Sequence, residues 1–326
     1  MKKQLISTIT LASLLCGSFS VAAAEAPART ECIAPAKPGG GFDLTCKLIQ
    51  VSLLETGAIE KPMRVTYMPG GVGAVAYNAI VAQRPGEPGT VVAFSGGSLL
   101  NLSQGKFGRY GVDDVRWLAS VGTDYGMIAV RADAPWKTLK DLLSALEKDP
   151  NSVVFGAGAS IGSQDWMKTA LLVQKAGVDP HKMRYVAFEG GGEPVTALMG
   201  NHVQAVSGDL SEMVPWLEGN KLRVLAVFAE NRLPGALAQV PTAREQGYDL
   251  VWPIIRGFYV GPKVSDADYQ WWVDTFTRLQ QTDEFKKQRS LRGLFEFNLN
   301  GKALDEYVKA QVNDYREKAK AFGLAK

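Results

Sequence analysis

The feature that most restricts this chain is a small-residue corner that recurs after strand-like runs and before helix-like runs. The first, Pro38-Gly39-Gly40-Gly41-Phe42-Asp43, joins an apolar run at 30–34 to an amphipathic run at 44–54. Consecutive glycines reach backbone angles closed to other residues and leave their N–H groups uncovered. The helix that follows adds its own unpaired N–H groups and the positive end of its dipole, so the corner can take a carboxylate, phosphate or sulfate. It can also be a tight turn with Asp43 as helix N-cap. Further corners are Pro69-Gly70-Gly71-Val72-Gly73, Ser95-Gly96-Gly97-Ser98, the run from Gly156 to Ser163, Glu189-Gly190-Gly191-Gly192 and Ser207-Gly208-Asp209. The strand–helix alternation around them predicts parallel α/β sheets. Ligands of such sheets gather beyond the carboxyl ends of the strands, so two facing groups of corners make a cleft lined with backbone donors.

Taken along the chain, strands are expected at 63–68, 90–94, 117–121, 127–130, 152–155, 184–187, 203–206, 222–228 and 252–260, the third and fourth lying about a central Gly122-Thr123-Asp124-Tyr125. Helices are expected at 74–82, 139–147 and 194–199, with another running from the Gly156–Ser163 corner to Gln174. Three charged helical segments follow residue 265. The spaced stripe Trp271, Trp272, Phe276 and Leu279 reads as core, whereas Glu212, Glu218 and Glu230 read as solvated faces.

The start of the chain predicts export. Lys2 and Lys3 precede an apolar stretch from Leu5 to Val21, and Ala22-Ala23-Ala24 offers small residues for cleavage after Ala24. Leu15, before Cys16, is too large for a lipoprotein cleavage box. No later apolar run approaches the roughly 18 residues of a spanning helix, so a periplasmic location is expected. The 36 basic and 33 acidic side chains nearly balance. With no basic block there is no footprint for nucleic acid, and recognition of anions has to be local. The mature chain is long enough for two domains. Cys32 and Cys46 flank the first corner. In an oxidising compartment they are expected to form a disulfide, the alternative being two separately buried thiols.

Two motifs point to other chemistry. Gly71-Val72-Gly73-Ala74-Val75-Ala76 fits a dinucleotide pattern, but no acidic residue follows on a second strand. Gly158-Ala159-Ser160-Ile161-Gly162 fits the G-x-S-x-G nucleophile elbow, and Ser160, Asp179 and His202 stand in triad order, which would make a secreted α/β serine hydrolase. Against it, no HGGG-type segment precedes the serine, and His202 follows a Gly200-Asn201 turn. The two histidines have no carboxylate at coordinating spacing, so no metal site is expected.

The ordered set of corners, with Ala197-Leu198-Met199-Gly200 and the run Val240-Pro241-Thr242-Ala243-Arg244-Glu245-Gln246-Gly247-Tyr248-Asp249, resembles the extracytoplasmic solute receptors of tripartite tricarboxylate transporters, also called Bug receptors. The opening from Glu31 to Lys37 is most similar to the tricarboxylate (citrate) receptor within that family. The resemblance implies an α/β two-domain periplasmic binding protein (type II-like, Venus flytrap) with crossover strands near 123–126 and 250–254. Domain 1 would be 25–124 plus 253–326, and domain 2 would be 125–252. It implies a non-catalytic receptor, expected to be a monomer, that closes on citrate or a related tricarboxylate. The ligand would pass to one large and one small integral membrane subunit. A receptor for a dicarboxylate or aromatic carboxylate is the alternative within the family.

The first loop's backbone would hold a ligand carboxylate at Gly39, Gly40, Gly41, Phe42 and Asp43. The rest of the expected lining is Gly71, Val72, Gly73, Ser95, Gly96, Ser98, Ala159, Ser160, Ile161, Gly162, Ser163, Gly190, Gly191, Asp209 and Arg256. The chain departs from the family's usual pattern at Gln204, at 86–90 and at Ile255-Arg256-Gly257. Arg256 is the expected bidentate grip on a carboxylate, or else a salt bridge at the domain junction. Asp43 is expected to cap or hold water, and Asp209 to hold a hydroxyl, a water or a cation. No cofactor is expected beyond Mg²⁺ or Na⁺ accompanying citrate.

Overall fold

The apolar run after Thr30 becomes β1 (Glu31–Ala34), buried along its whole length as a strand with neighbours on both sides must be. It pairs in parallel with β2 (Arg64–Tyr67) and β3 (Thr90–Ser95). The computed structural model describes residues 26–217 and 219–325, so the expected signal peptide lies outside the described residues. Between β1 and β2 runs α1 (Gly41–Glu55), which starts earlier than its apolar periodicity suggests. Gly40 is the N-cap, and Asp43 sits inside the first turn. From there its Oδ2 accepts the Gly39 N–H at 2.8 Å and its Oδ1 accepts the Tyr67 hydroxyl at 2.8 Å. The aspartate therefore ties the glycine loop back onto the helix instead of capping it. Cys32 and Cys46 form a disulfide between β1 and α1.

Next come α2 (Ala74–Gln83) and α3 (Gly96–Ser103), the latter closed at its start by a Ser95–Ser98 capping box. The expected pair of strands around 122–125 is in fact one strand, β4 (Arg116–Arg131). Residues 122–125 stay extended because β9 (Pro253–Val260) pairs with them, Gly122 opposite Arg256 and Tyr125 opposite Pro253. Register shifts at 117–119 and 120–122 bend the strand without breaking it.

β4 serves two sheets. Up to Tyr125 it pairs with β9, which continues to β3, β1 and β2. From Gly126 it pairs with β7 (Ala205–Asp209) and β8 (Leu222–Val227). β7 leads in parallel to β5 (Val154–Gly158) and on to β6 (Arg184–Phe188). The chain crosses back between the sheets at Trp252, whose N–H donates to Phe228 and whose carbonyl accepts the Gly126 N–H. Helices α4 (Leu139–Lys148), α5 (Gln164–Lys175), α6 (Gly192–Met199) and α7 (Leu210–Leu217) belong to the second sheet.

Helices α8 (Asp266–Leu279), α9 (Asp283–Leu291) and α10 (Gly301–Lys320) return to the first. Trp272, Phe276 and Leu279 are buried with α1 and β9 residues, so the aromatic stripe is core. Helix α10 places Leu304, Val308, Val312 and Tyr315 in a core shared with Trp166 and Phe155 of the second sheet's half. Just beyond it Phe322 lies edge-on to Trp166, with ring centroids 5.7 Å apart.

Candidate functional site

The carboxyl ends of β1, β3, β5, β6 and β7 point to one cleft of about 370 Å³ between the two halves. Its first wall is built from Gly40, Gly41 and Phe42, from Gly70 to Val72, and from Ser95 and Gly97. Its second is built from Gly158 to Ser160, Ser163, and Gly190 with Gly191. Of the residues expected from sequence, Gly40, Gly41, Phe42, Gly71, Val72, Ser95, Ala159, Ser160, Ser163, Gly190, Gly191, Asp209 and Arg256 meet here. Gly39, Asp43, Gly73, Gly96, Ser98, Ile161 and Gly162 are not among the lining residues. Several of these have local tasks: Ser98 caps with Ser95, the Gly162 carbonyl accepts from Gln104, and Ile161 faces solvent. Val72 and Ala159, one on each wall, hold left-handed backbone angles at φ +53° and +67°. Such angles are costly for a side chain carrying Cβ and persist where surrounding structure imposes them, often at ligand sites.

The halves touch across the mouth of the cleft. Lys37 reaches Glu189 at 3.3 Å and Glu193 at 3.0 Å, and the Gln104 side-chain amide donates to the Gly162 carbonyl at 2.9 Å. Lys106 lines the cleft beside Gly162. Among the described residues it has no ion-pair partner, and burial alone draws its ammonium below the usual lysine range.

The floor is a buried ionic cluster. Arg256, 2 % exposed, donates from Nη2 to Asp124 at 2.9 Å and to Asp209 at 2.6 Å. Its guanidinium lies directly beneath Gly41, where any Cβ would stand 2.2 Å from Nη1. Arg256 therefore lines the cleft while its charge is committed to the junction between the sheets. Lys168 of α5 bridges Asp165 at 2.7 Å and Asp209 at 3.1 Å, and donates to the Gly208 carbonyl. Asp209 also accepts from the Gln164 amide at 3.1 Å, so protein donors fill the place expected for a ligand hydroxyl, water or cation. Burial pushes the Asp209 carboxyl up, but Lys168 and then Arg256 outweigh it and hold it below the usual carboxylate range.

Glu212, expected on a solvated face, is partly buried in this cleft. Its Oε1 accepts the Gly41 N–H from the opposite wall at 3.0 Å, and its carboxyl packs against Gly191. Burial first, then Asp209 and Asp165, push its carboxyl up to about 8. Helical periodicity could not reveal this, because α7 begins directly at the end of β7 and its first turn looks into the cleft. Gln164, Asp165 and Lys106 also escaped sequence reasoning. Only the Gly158–Ser163 corner, which places α5, signalled the first two.

The serine elbow is not assembled. The Asp179 carboxylate accepts the His181 N–H, His202 packs against Gly200, and no hydrogen bond joins either to Ser160 among the described residues. No group of three His, Cys, Asp or Glu side chains suited to a metal ion occurs among the described residues, nor a helix long and apolar enough to cross a membrane.

Residues 65–324 match the model of the tripartite tricarboxylate transporter family receptor. A UPF0065 protein encoded in the gbd 5′ region of Cupriavidus necator is 25 % identical over 217 residues, covering 66 % of this chain and 64 % of that protein. The match thus spans less than two thirds of that relative's length. The periplasmic binding protein BugD superposes with a TM-score of 0.80 at 19 % identity, over 91 % of this chain and 98 % of the other. MatC from Rhodopseudomonas palustris, described with bound malate, gives 0.77 at 20 % identity over 90 % and 99 %. The fold is the two-domain periplasmic binding protein fold.

Proposed function

The chain belongs to the tripartite tricarboxylate transporter receptor family, and on that premise we propose that it is an exported receptor for a small carboxylate. In this reading it captures citrate or a related tricarboxylate without catalysis and delivers it to the large and small membrane subunits of a tripartite transporter. The observation that supports it most is the cleft itself. Backbone corners from two sheets face one cleft of about 370 Å³, large enough for a small organic acid.

The N–H groups of Gly40 and Phe42 and the first turn of α1 take one carboxylate. A second carboxylate meets Lys106 at the mouth, and Arg256 adds its potential from beneath Gly41. The halves, 25–124 with 253–326 and 125–252, close about residues 125–126 and 252–253. Closure is favoured only by contacts that the open form lacks, and Lys37 and Gln104 supply two of them.

Calorimetric titration of the mature protein, unfolded and refolded to strip bound ligand, tests this. Citrate, tricarballylate, succinate, adipate and malate are each added with and without Mg²⁺. Micromolar or tighter citrate binding with weak dicarboxylate binding is expected. Tight binding of a dicarboxylate alone keeps the receptor and replaces the tricarboxylate, a result that the structure described with malate makes worth seeking. No heat from any of them sinks the carboxylate reading. A gain in citrate affinity on adding Mg²⁺ would show that a cation enters with the ligand.

A further inference from the structure

Glu212 stands in the cleft under conditions unlike those of any other acidic group there. The floor beneath it holds Asp124 on β4, Asp165 on α5 and Asp209 on β7, against two cations, Arg256 on β9 and Lys168 on α5. Both cations are already shared among the three aspartates. Glu212 has no ion-pair partner among the described residues. Its carboxyl is instead held between the two glycine corners. Oε1 takes the Gly41 N–H at 3.0 Å, and a Cβ on Gly191 would fall 1.9 Å from the same oxygen. The Asp209 N–H is 3.4 Å from Oε2.

An anion laid on the first corner therefore meets a carboxyl at close range. Two like charges at that range, partly withdrawn from water, repel strongly, and the aspartate-rich floor adds to this. A proton on Glu212 removes the repulsion and turns one of its oxygens from an acceptor into an O–H donor. Burial and the neighbouring aspartates already favour that form.

We propose that the cleft binds a carboxylate ligand together with one proton, which Glu212 carries and presents to the ligand as an O–H donor. The inference rests on the carboxylate-receptor reading. The proton comes from solvent and is returned when the ligand leaves.

Titration of citrate and of malate at pH 7 and pH 9, in two buffers of different ionisation heat, counts the protons taken up. The wild-type protein is expected to take up about one proton per ligand at pH 9 and roughly 0.1 at pH 7, with affinity about tenfold weaker at pH 9. In Glu212→Gln most of that uptake and most of the pH dependence are lost, and what remains is the share of Lys106, which Lys106→Met in the same background removes. In Glu212→Asp, which keeps a carboxyl, uptake returns. Wild-type binding at pH 9 without proton uptake overturns the proposal, whether or not the variants fold. So does uptake in Glu212→Gln that equals that of the wild type. If neither acid binds the wild type at either pH, the carboxylate-receptor reading falls and this inference with it.

Discussion

Asp124, Asp165 and Asp209 are buried together, and Arg256 and Lys168 supply the positive charge that makes that tolerable. Removing one partner of a buried ion pair leaves a charge with neither water nor counter-ion, which costs about 3–5 kcal/mol. Arg256→Gln, which leaves Asp124 without a cation and Asp209 with Lys168 alone, is expected to lose stability on that scale, read by urea unfolding. A loss below about 1 kcal/mol would refute the structural role of the pair. Weakened ligand binding in this variant would not by itself prove contact with ligand. Gly41→Ala is a second probe, because its Cβ must displace the guanidinium without removing a charge. It should weaken binding and, because the displaced guanidinium leaves Asp124 and Asp209, lower stability as well.

Glu212 has its own signature in the stability of the folded protein. Its carboxyl is raised in the folded state, to about 8, so its neutral form is favoured there. That contribution is complete below the ordinary glutamate range and is lost as pH rises through about 8. Glu212→Gln is expected to flatten the decline in melting temperature between about pH 5 and pH 9. An unchanged decline would show that another group governs it.

At the scale of elements, the disulfide fixes β1 to α1 and so holds the first corner at the cleft. On the chain-entropy model a closed loop of this size contributes roughly 3 kcal/mol. For a chain of this length the loss lowers the melting temperature by roughly 5 °C. Paired Cys32→Ser and Cys46→Ser replacements, followed by scanning calorimetry, measure it. No shift would mean that packing alone holds the corner. β4 shows a second kind of constraint. It changes partners at Tyr125 and Gly126 without a break, so it links the halves by a continuous strand instead of a loop.

At the scale of the molecule, α10 packs on α3 and β4, and the turn after it reaches the other half through Phe322 and Trp166. That contact lies away from the cleft yet favours the two halves touching. Phe322→Ala should enlarge the radius of gyration in solution scattering and weaken ligand binding several-fold, because part of the binding free energy must then close the halves. Unaltered scattering and affinity together would show that the contact plays no part in closure.

What the sequence determined by itself is local. Glycine corners between strands and helices, the Cys32–Cys46 pair beside the first of them and the aromatic stripe of α8 each depend on neighbours within a few turns of chain. Turn chemistry and periodicity therefore carried them, and the family's ordered motifs carried the two-domain arrangement. Tertiary structure alone decided the rest. The pattern of residues 117–130 read as two strands about 122–125 because the strand that pairs along that stretch, β9, lies some 130 positions away. Arg256, Asp124, Asp165, Lys168 and Asp209 come from four separate elements, and nothing in their spacing says which charge each will meet. Glu212 read as a surface residue because a helix pattern reports which face is polar. It cannot report that this polar face closes onto another sheet's glycine loop, where burial and neighbouring charge set its chemistry.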